Sequence, residues 1–332
     1  MIKGLYVMNR GWFDKVYPQE VRKEIEKSAM IDVPLQTKES ITENLSILRD
    51  AEVMFSGWGA PKLDERFLEA APHLKALFYA AGSVKGVVTD ACWERNIMVS
   101  SAYAANSIPV AEYTLSQILF SLKHGWHYSM AIKRKEKFVD KSSDCAPGGY
   151  GSTVGLISLG MVGRKVCELL KNYDIHVIAY DPYVSKEKAA ELGVELCSLD
   201  EAFERSDIVS LHAPWLKETE GMITAAHFER MKPYATFINT ARGAIVREPE
   251  MIRVLQRRTD LMAILDVTYP EPPKPGSPLY TLSNVILTPH IAGSGVNEAQ
   301  RMGAYMLDEF KRYLKGEPLN WQITKGNVAT LA

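Results

Sequence analysis

The sequence predicts an α/β protein with two domains, each built on a mostly parallel sheet. Short apolar segments that read as strands alternate with amphipathic segments that read as helices along nearly the whole chain. Many of these strands are apolar at every position, as expected when helices cover both faces of a sheet. At 332 residues the chain is also too long for a typical single core.

The composition is typical of a soluble globular protein. Hydrophobic residues make up 46% and charged residues 24%, and 39 basic against 40 acidic side chains give a net charge of −1. The basic run from Lys133 to Lys137 is interrupted by Glu136 and has no interleaved aromatic residues, so we expect no nucleic-acid site. No apolar run approaches the ~18–20 residues of a membrane span.

The cysteine pattern and the N-terminus both favour a cytoplasmic protein. The four cysteines are far apart without a C-x-x-C pair, which predicts reduced thiols: Cys92, Cys145, Cys167 and Cys197. Asn9 and Arg10 interrupt the N-terminal apolar run too early for a signal-peptide core. We therefore expect neither secretion nor disulfides.

Residues 1–100 predict a small parallel α/β domain of the flavodoxin-like kind, with strands at Gly4–Met8 and Ala51–Trp58. A later strand ends at Gly82, Ser83 and Val84, whose backbone N–H groups could face a ligand. Taken alone, these residues favour an ordinary strand-to-helix turn.

A long apolar helix follows, for which Asn106 or Ser107 is the expected N-cap. We expect it to bridge the two domains. His124 and His127 near its end lack a nearby Cys or carboxylate at ligand spacing, so we predict no metal site.

The segment Thr153–Tyr183 predicts a βαβ unit that binds a dinucleotide. Gly160 and Gly163 occupy the first strand-to-helix turn, and N–H groups at Met161 and Val162 would face the pyrophosphate. Asp181 ends the second strand, where it would accept hydrogen bonds from the adenosine ribose and repel a 2′-phosphate, which favours NAD over NADP.

One position departs from the glycine fingerprint of such turns. Ser158 stands where the first glycine of Gly-x-Gly-x-x-Gly is expected. If that position requires left-handed dihedral angles, serine costs ~1–2 kcal/mol relative to glycine. The remaining strand, helix and acid still match a dinucleotide site; the alternative is a βαβ unit that binds no nucleotide.

Further apolar strands continue the alternation, and three of the polar groups that follow them could carry chemistry. Arg242, Glu271 and His290 come just after buried strands, at the sheet edge where open parallel sheets bind ligands. Each alone is more simply a surface group, but together, beside a dinucleotide turn, they suggest a catalytic site.

The last long helix, Asn297–Leu314, has no strand with which to extend this second sheet. We therefore expect it to cross back to the first domain. The expected division is a discontinuous domain of residues 1–103 and 296–332 and an inserted domain of residues 104–295, a doubly wound parallel sheet, with the active site in the cleft between them. No internal repeat is visible.

Ordered motifs over most of the chain resemble the D-isomer-specific 2-hydroxyacid dehydrogenase family. In order they are AAGS, ANSIPVAE, TVGLISLGMVG with YDP, LHAP with ET, NTARG, LDVTYPEP and LTPHIAG. The resemblance implies two Rossmann-like domains, NAD as cofactor and a homodimer. It also implies a catalytic triad of Arg242, Glu271 and His290. The implied NAD contacts are Gly160, Met161, Val162, Asp181, His212, Thr219, Thr240, Ala241, Arg242 and Asp266.

The chemistry of a 2-hydroxyacid dehydrogenase suits these residue types. His290 could exchange a proton with the substrate oxygen, so reduction needs the imidazolium and oxidation the neutral ring. Glu271 would orient the ring, and Arg242 could clamp the substrate carboxylate and polarise the carbonyl. Backbone N–H groups at Ser83 and Val84 could hold the other carboxylate oxygen. We expect a 2-ketoacid reductase.

Two other functions are compatible with the same motifs. The first is an NAD-sensing binding protein of the carboxyl-terminal-binding corepressor kind, with little turnover. The second is formate or phosphite oxidation, which the glutamate at position 271 disfavours because formate enzymes of this kind resemble the chain but carry Gln there. The chain also departs from the family's usual sequence in the substrate-side loop, which reads SVKGVVTD and contains Lys85. Lys85 could meet a second anionic group of the substrate but is more simply a solvated lysine.

Overall fold

The computed structural model describes residues 1–140 and 146–330. Cys145 and the last two residues lie outside the described residues. Internal contacts divide the chain into two compact units. Unit 1 comprises Met1–Asn106 and Ser294–Ala332, and unit 2 comprises Ser107–Gly293.

Strands and helices alternate in both units. The strands are β1 Ile2–Val7, β2 Ala29–Met30, β3 Val53–Ser56, β4 Ala76–Tyr79, β5 Met98–Ser101, β6 Ser152–Ile157, β7 Ile175–Tyr180, β8 Glu195–Leu196, β9 Ile208–Leu211, β10 Thr236–Asn239, β11 Met262–Leu265, β12 Val285–Leu287 and β13 Gln322–Ile323. The helices are α1 Arg10–Val16, α2 Gln19–Glu26, α3 Lys38–Glu43, α4 Glu65–Ala70, α5 Asp90–Glu94, α6 Tyr103–Leu122, α7 Gly125–Lys135, α8 Met161–Leu170, α9 Lys186–Leu192, α10 Leu199–Arg205, α11 Ala225–Arg230, α12 Glu248–Arg257 and α13 Val296–Lys315.

Unit 1 is built on a six-stranded sheet in the order β13-β5-β4-β3-β1-β2. All strand pairs are parallel except β13 with β5. Alternate strand residues enter two different apolar cores, so both faces of the sheet are covered. Helix α13 packs against α1 so closely that a Cβ on Gly303 would lie 1.8 Å from the Val16 carbonyl oxygen.

Unit 2 is built on a seven-stranded, wholly parallel sheet in the order β12-β11-β10-β9-β6-β7-β8. Strand β6 pairs with β7 on one side and β9 on the other, so the strand order reverses at β6. In doubly wound sheets, ligands bind outside the carboxyl ends of the strands at such a reversal. The α/β class with two parallel-dominated sheets is confirmed.

The register of β6 and β7 places their carboxyl ends side by side. Ile157 pairs with Tyr180 at the end of both strands. The backbone N–H of Ser158 then donates to the carbonyl oxygen of Tyr180 at 2.8 Å. Ser158 and Asp181, the residues that follow the two strands, are therefore neighbours.

The expected N-cap of the long helix is wrong. Helix α6 begins at Tyr103, and Asn106 lies inside it. The Asn106 side chain instead accepts a hydrogen bond from the backbone N–H of Ser294 at 3.0 Å. A contact with a residue 188 positions away in the chain therefore replaced the local cap that the sequence favoured.

Disulfides and membrane-spanning helices were sought among the described residues. Cys92, Cys167 and Cys197 are free thiols. Within 1–140 and 146–330, no helix combines the length and the apolar character needed to cross a membrane.

Candidate active site

Five loops that leave the carboxyl edge of the unit 2 sheet carry most of the residues expected to be functional. They follow β6, β9, β10, β11 and β12. Because all seven strands are parallel, these loops emerge at the same edge. The structure thus brings Arg242, Glu271 and His290 to the edge that also bears the glycine turn.

His290 and Glu271 form a direct side-chain pair. Nδ1 of His290 lies 2.7 Å from Oε1 of Glu271. The two side chains are 46% and 43% exposed, so the pair can be reached from solvent. With Nδ1 bonded to the carboxylate, Nε2 is the ring atom that can face a substrate.

The loop that carries His290 is held by a buried carboxylate. Asp266 is 2% exposed, and its oxygens accept from Thr288 Oγ1 at 2.6 Å, Ile291 N at 2.8 Å and Ala292 N at 2.9 Å. The backbone N–H of His290 also donates to the Asp266 carbonyl oxygen at 3.0 Å. Asp266, expected to contact the cofactor, therefore positions the imidazole loop as well.

The side chain of Asn239 stabilises the turn that contains Arg242. The Asn239 side chain accepts from Ala241 N at 3.0 Å and donates to the carbonyl oxygen of Arg242 at 3.1 Å. Burial lowers the pKa of Arg242, and the negative charge of Glu271 opposes this shift. The guanidinium remains charged all the same, so Arg242 presents a cation close to the His290–Glu271 pair.

The residue after Arg242 must be glycine. A Cβ on Gly243 would lie 2.0 Å from the backbone carbon of Thr268. The loop after β10 and the loop after β11, which leads to Glu271, therefore touch through their backbones. This contact fixes the spacing between Arg242 and the start of the loop that bears its acidic neighbour.

The glycine turn after β6 is open toward a ligand. Helix α8 begins after Gly160, which has no side chain to cap the N–H groups of Met161 and Val162. A Cβ on Gly160 would meet only the Ser158 hydroxyl, at 3.8 Å, whereas one on Gly163 would lie 2.2 Å from the Ser158 carbonyl oxygen. The N–H groups and positive dipole of α8 fit a pyrophosphate.

Ser158 does adopt left-handed dihedral angles, with φ +80°. Serine at this position therefore costs ~1–2 kcal/mol relative to glycine. Asp181 receives three hydrogen bonds from this neighbourhood: Leu159 N at 2.7 Å and Ser158 Oγ at 3.3 Å on Oδ2, and Tyr183 N at 2.8 Å on Oδ1.

The other expected cofactor residues make local contacts. Burial lowers the pKa of His212 to about 4, so the ring is neutral, and its Nε2 lies 3.0 Å from Ser210 Oγ. The Thr219 hydroxyl closes its own loop by donating to the Pro214 carbonyl oxygen at 2.6 Å. The Thr240 hydroxyl lies 3.2 Å from that of Thr114.

The expected substrate residues in unit 1 begin three residues after the end of β4. Gly82 and Ser83 are partly exposed, and Val84 is buried. Within the described chain, their backbone N–H groups donate to no other residue. They are therefore able to receive an anionic group.

Sequence reasoning missed the residues that support this site. Asn239 brackets Arg242, Ser210 contacts His212, and Thr288 contacts Asp266. The one available signal was Asn239, a polar residue at the last position of an apolar strand, where its side chain can close a turn. His124 and His127 belong to no group of three or more potential metal ligands among the described residues.

Comparisons with known proteins agree with this geometry. Residues 115–292 match the sequence model described as D-isomer specific 2-hydroxyacid dehydrogenase, NAD binding domain. The D-3-phosphoglycerate dehydrogenase of Archaeoglobus fulgidus is 34% identical over 262 residues, which are 78% of this chain and 49% of that protein. The D-3-phosphoglycerate dehydrogenase of Methanocaldococcus jannaschii is 35% identical over 283 residues, which are 85% of this chain and 52% of that protein.

One solved structure illustrates the shared fold. The NAD-complexed D-isomer specific 2-hydroxyacid dehydrogenase from Lactobacillus delbrueckii ssp. bulgaricus is 22% identical, with a TM-score of 0.79 over 97% of this chain and 100% of that one. The chain spans about half the length of the curated relatives it matches. These matches confirm the expected resemblance and the expected cofactor, NAD.

Proposed function

We propose that this chain, which belongs to the D-isomer-specific 2-hydroxyacid dehydrogenase family, transfers hydride between NAD and a D-2-hydroxyacid or its 2-ketoacid. The observation that carries the proposal is the 2.7 Å contact between His290 Nδ1 and Glu271 Oε1 at the carboxyl edge of the unit 2 sheet. Bound NAD would supply the hydride chemistry.

The proposed role of His290 is to move a proton at Nε2. In the reductive direction, the imidazolium gives its Nε2 proton to the oxygen of the ketoacid carbonyl. In the oxidative direction, the neutral ring accepts that proton from the hydroxyl group. Glu271 keeps the ring in one orientation through its contact with Nδ1.

The proposed role of Arg242 is to bind the substrate carboxylate. Its planar fork can form two parallel hydrogen bonds to a carboxylate and polarise the adjacent carbonyl. Backbone N–H groups of Gly82, Ser83 and Val84 are proposed as further donors to the substrate. By this assignment residues 1–103 and 296–332 bind the substrate, and residues 104–295 bind NAD.

The proposed cofactor contacts begin at the glycine turn. Gly160, Met161 and Val162 would hold the pyrophosphate, and Asp181 the adenosine ribose. The remaining proposed contacts are His212, Thr219, Thr240, Ala241 and Asp266. Support for this assignment comes from the uncapped start of α8 and from the carboxylate at the end of β7.

The test is the oxidation of NADH by the purified chain with a panel of 2-ketoacids, followed at 340 nm. The panel should include 3-phosphohydroxypyruvate, because the curated relatives are named D-3-phosphoglycerate dehydrogenases. His290→Asn should lower kcat at least ~10²-fold, whereas the exposed control His176→Asn should not. NADH binding without turnover of any ketoacid would favour the NAD-sensing alternative instead.

We also propose that the chain forms a homodimer in the cytoplasm. The segments expected to contribute to the interface are α6 and the residues that follow it, including Trp126, Tyr128 and Met130. Light scattering of the purified chain tests the dimer, and fractionation of the source cell tests the location.

A further inference from the structure

Two tryptophans in unit 1, outside the residues assigned to the proposed reaction, lie against each other. The ring centroids of Trp12 and Trp58 are 4.6 Å apart, with an angle of 56° between the ring planes. Both residues pack on the same apolar core of unit 1 and both stay partly exposed. Such a pair offers a large, rigid apolar surface that an apolar group can contact.

Trp58 lies at the carboxyl edge of the unit 1 sheet. The register pairs Val7 with Ser56 and Ser56 with Tyr79, so β1, β3 and β4 end in one row. Trp58 stands two residues after β3, and the proposed substrate donors begin at Gly82, three residues after β4. Because neighbouring strands are only ~5 Å apart, these two loops start side by side.

Backbone contacts on both sides restrain the loop that carries Trp58. On one side, the carbonyl oxygen of Trp58 accepts from Asn9 N at 2.8 Å. Gly59 follows with φ +82°, and a Cβ there would lie 2.9 Å from Asn9 Cβ. On the other side, a Cβ on Gly57 would lie 3.3 Å from the carbonyl oxygen of Ala80. Trp58 is therefore held on a fixed backbone next to the loop of the proposed donors.

The two rings of the pair have different surroundings. Lys15 Nζ lies 4.7 Å from the centroid of the Trp12 ring, which is the geometry of a cation–π contact. Trp12 thus contacts a cation as well as Trp58, and it supports Trp58 from the side of α1. Trp58 is the ring on the loop beside the proposed donors, so it is the one placed to meet a substrate.

The loop after β3 carries no charged side chain. From Gly57 to Pro61 its side chains are apolar or absent. Cations stand only beyond it, at Lys62 and, after the neighbouring strands, at Arg10 and Lys85. Because a phosphate group is held chiefly by Arg and Lys side chains, this loop fits an apolar substituent better than a phosphorylated one.

We propose that Trp58, supported by Trp12, binds the group attached to C3 of the 2-ketoacid and makes the chain prefer a bulky apolar group there, such as an aromatic ring. The inference rests on the proposed function, in which backbone N–H groups of Gly82, Ser83 and Val84 receive the substrate. C3 is two bonds from the carboxylate carbon, so a group attached to it can reach the adjacent loop. Trp58 is thus a specificity-determining residue.

The test compares ketoacids that differ in this group. Oxidation of NADH by the full chain is followed with phenylpyruvate, pyruvate and 3-phosphohydroxypyruvate. The kcat/KM for phenylpyruvate should exceed that for each of the other two at least ~10-fold, as the burial of an extra apolar group predicts. A kcat/KM for phenylpyruvate that is no higher than that for pyruvate or 3-phosphohydroxypyruvate would overturn the inference.

Variants of Trp58 test the residue itself. Trp58→Ala should lower the ratio of kcat/KM for phenylpyruvate to kcat/KM for pyruvate ~10-fold, whereas Trp58→Phe keeps an aromatic ring and should retain most of the ratio. The ratio cancels losses common to both substrates. If Trp58→Ala does not fold, Trp58→Gln replaces it with the same expected fall. A parental ratio in the folded variant would overturn the inference.

Trp93 provides a matched control in the same unit. It is a partly exposed tryptophan of α5 that packs against an apolar core. Trp93→Ala should lower the Tm, because apolar contacts are lost, and leave the ratio of the two kcat/KM values at its parental level. An equal fall of the ratio in Trp93→Ala would show that the ratio reports general destabilisation, and would overturn the inference.

Failure of this inference can be told from failure of the proposed function. If the chain oxidises NADH with none of the ketoacids, the proposed function fails and the inference fails with it. If the chain reduces pyruvate but does not prefer phenylpyruvate, the proposed function stands and the role of Trp58 is wrong.

Discussion

Nδ1 of His290 lies 2.7 Å from Oε1 of Glu271, a residue 19 positions earlier in the chain. His290 itself has φ +55°, and its backbone N–H donates to the carbonyl oxygen of Asp266. The imidazole is thus restrained at its backbone and at one ring nitrogen. Only Nε2 is left to exchange a proton with a substrate, which makes the roles of the two side chains separately testable.

Replacing Glu271 with Gln should lower kcat for ketoacid reduction ~10²-fold, with little change in the Kd of NADH. The amide removes the negative charge beside the ring but keeps the shape of the side chain. Steady-state kinetics and a fluorescence titration of NADH check the two quantities. The exposed control Glu218→Gln should behave as the parent; an unchanged kcat in Glu271→Gln would contradict the proposed mechanism.

Replacing Arg242 with Lys should raise KM for the ketoacid and lower kcat/KM ~10²-fold or more. An ammonium group keeps the charge but cannot form the two parallel hydrogen bonds of a guanidinium. The kinetic constants are compared with those of Arg253→Lys, a surface control on α12. If Arg242→Lys retains the parent kcat/KM, the carboxylate clamp is not formed by Arg242.

Replacing Asp266 with Asn should lower both the stability and kcat. One oxygen becomes an NH₂ group, which cannot accept from Thr288, Ile291 or Ala292. The buried donors left without a partner should cost ~1–3 kcal/mol of unfolding free energy. Urea unfolding measures this loss, and kcat at a temperature where the variant is folded measures the displacement of His290. A variant with parental stability would refute the anchoring role.

His212 should make the stability depend on pH in acid. Its pKa is about 4 in the folded chain and ~6.5 when unfolded, so the unfolded state binds more protons between these values. The unfolding free energy should therefore fall as the pH drops from 6.5 toward 4, by up to ~3 kcal/mol from this group, and level off below.

His212→Gln removes that contribution. Urea unfolding of parent and variant across this pH range should give a stability difference that changes with pH in the stated direction. A constant difference at every pH would show that His212 is not desolvated in the folded chain.

Replacing Gly243 with Ala should destabilise unit 2 by ~3 kcal/mol or more, because the new Cβ would lie 2.0 Å from the backbone of Thr268. Gly149→Ala is the matched control, since a Cβ there meets nothing within 4 Å. Thermal or urea unfolding of the two variants distinguishes a forced contact from a general effect of replacing glycine. Equal stabilities would show that the two loops separate easily.

The sequence was sufficient to predict the longer strands and the residues at their carboxyl ends, because buried parallel strands are apolar along their length and end at a polar residue. It did not reveal the two-residue strands β2, β8 and β13. Arg242 and His290 were found in this way. It was not sufficient for side-chain partners that are distant in the chain. The Asn106 side chain contacts a backbone group 188 positions away, and no local pattern carries that information.

The conformation and contacts of individual residues could likewise not be predicted from the sequence. The left-handed angles of Ser158 could be stated only as a condition, because serine is allowed in either region. Asp266 was interpreted as a cofactor residue, while its anchoring role depends on amides that lie 25 and 26 positions downstream. The conformation of Ser158 and the anchoring role of Asp266 both depend on which strand ends are neighbours in the folded sheet.

The pairing of Ile157 with Tyr180 has a practical consequence for protein engineering. Two codon changes 23 positions apart, one just past the tip of each strand, would alter two side chains whose Oγ and Oδ2 atoms lie 3.3 Å apart and leave His290 and Glu271 unchanged. Redesign toward the phosphorylated coenzyme can therefore begin with a small combinatorial library at Ser158 and Asp181, screened by affinity alone.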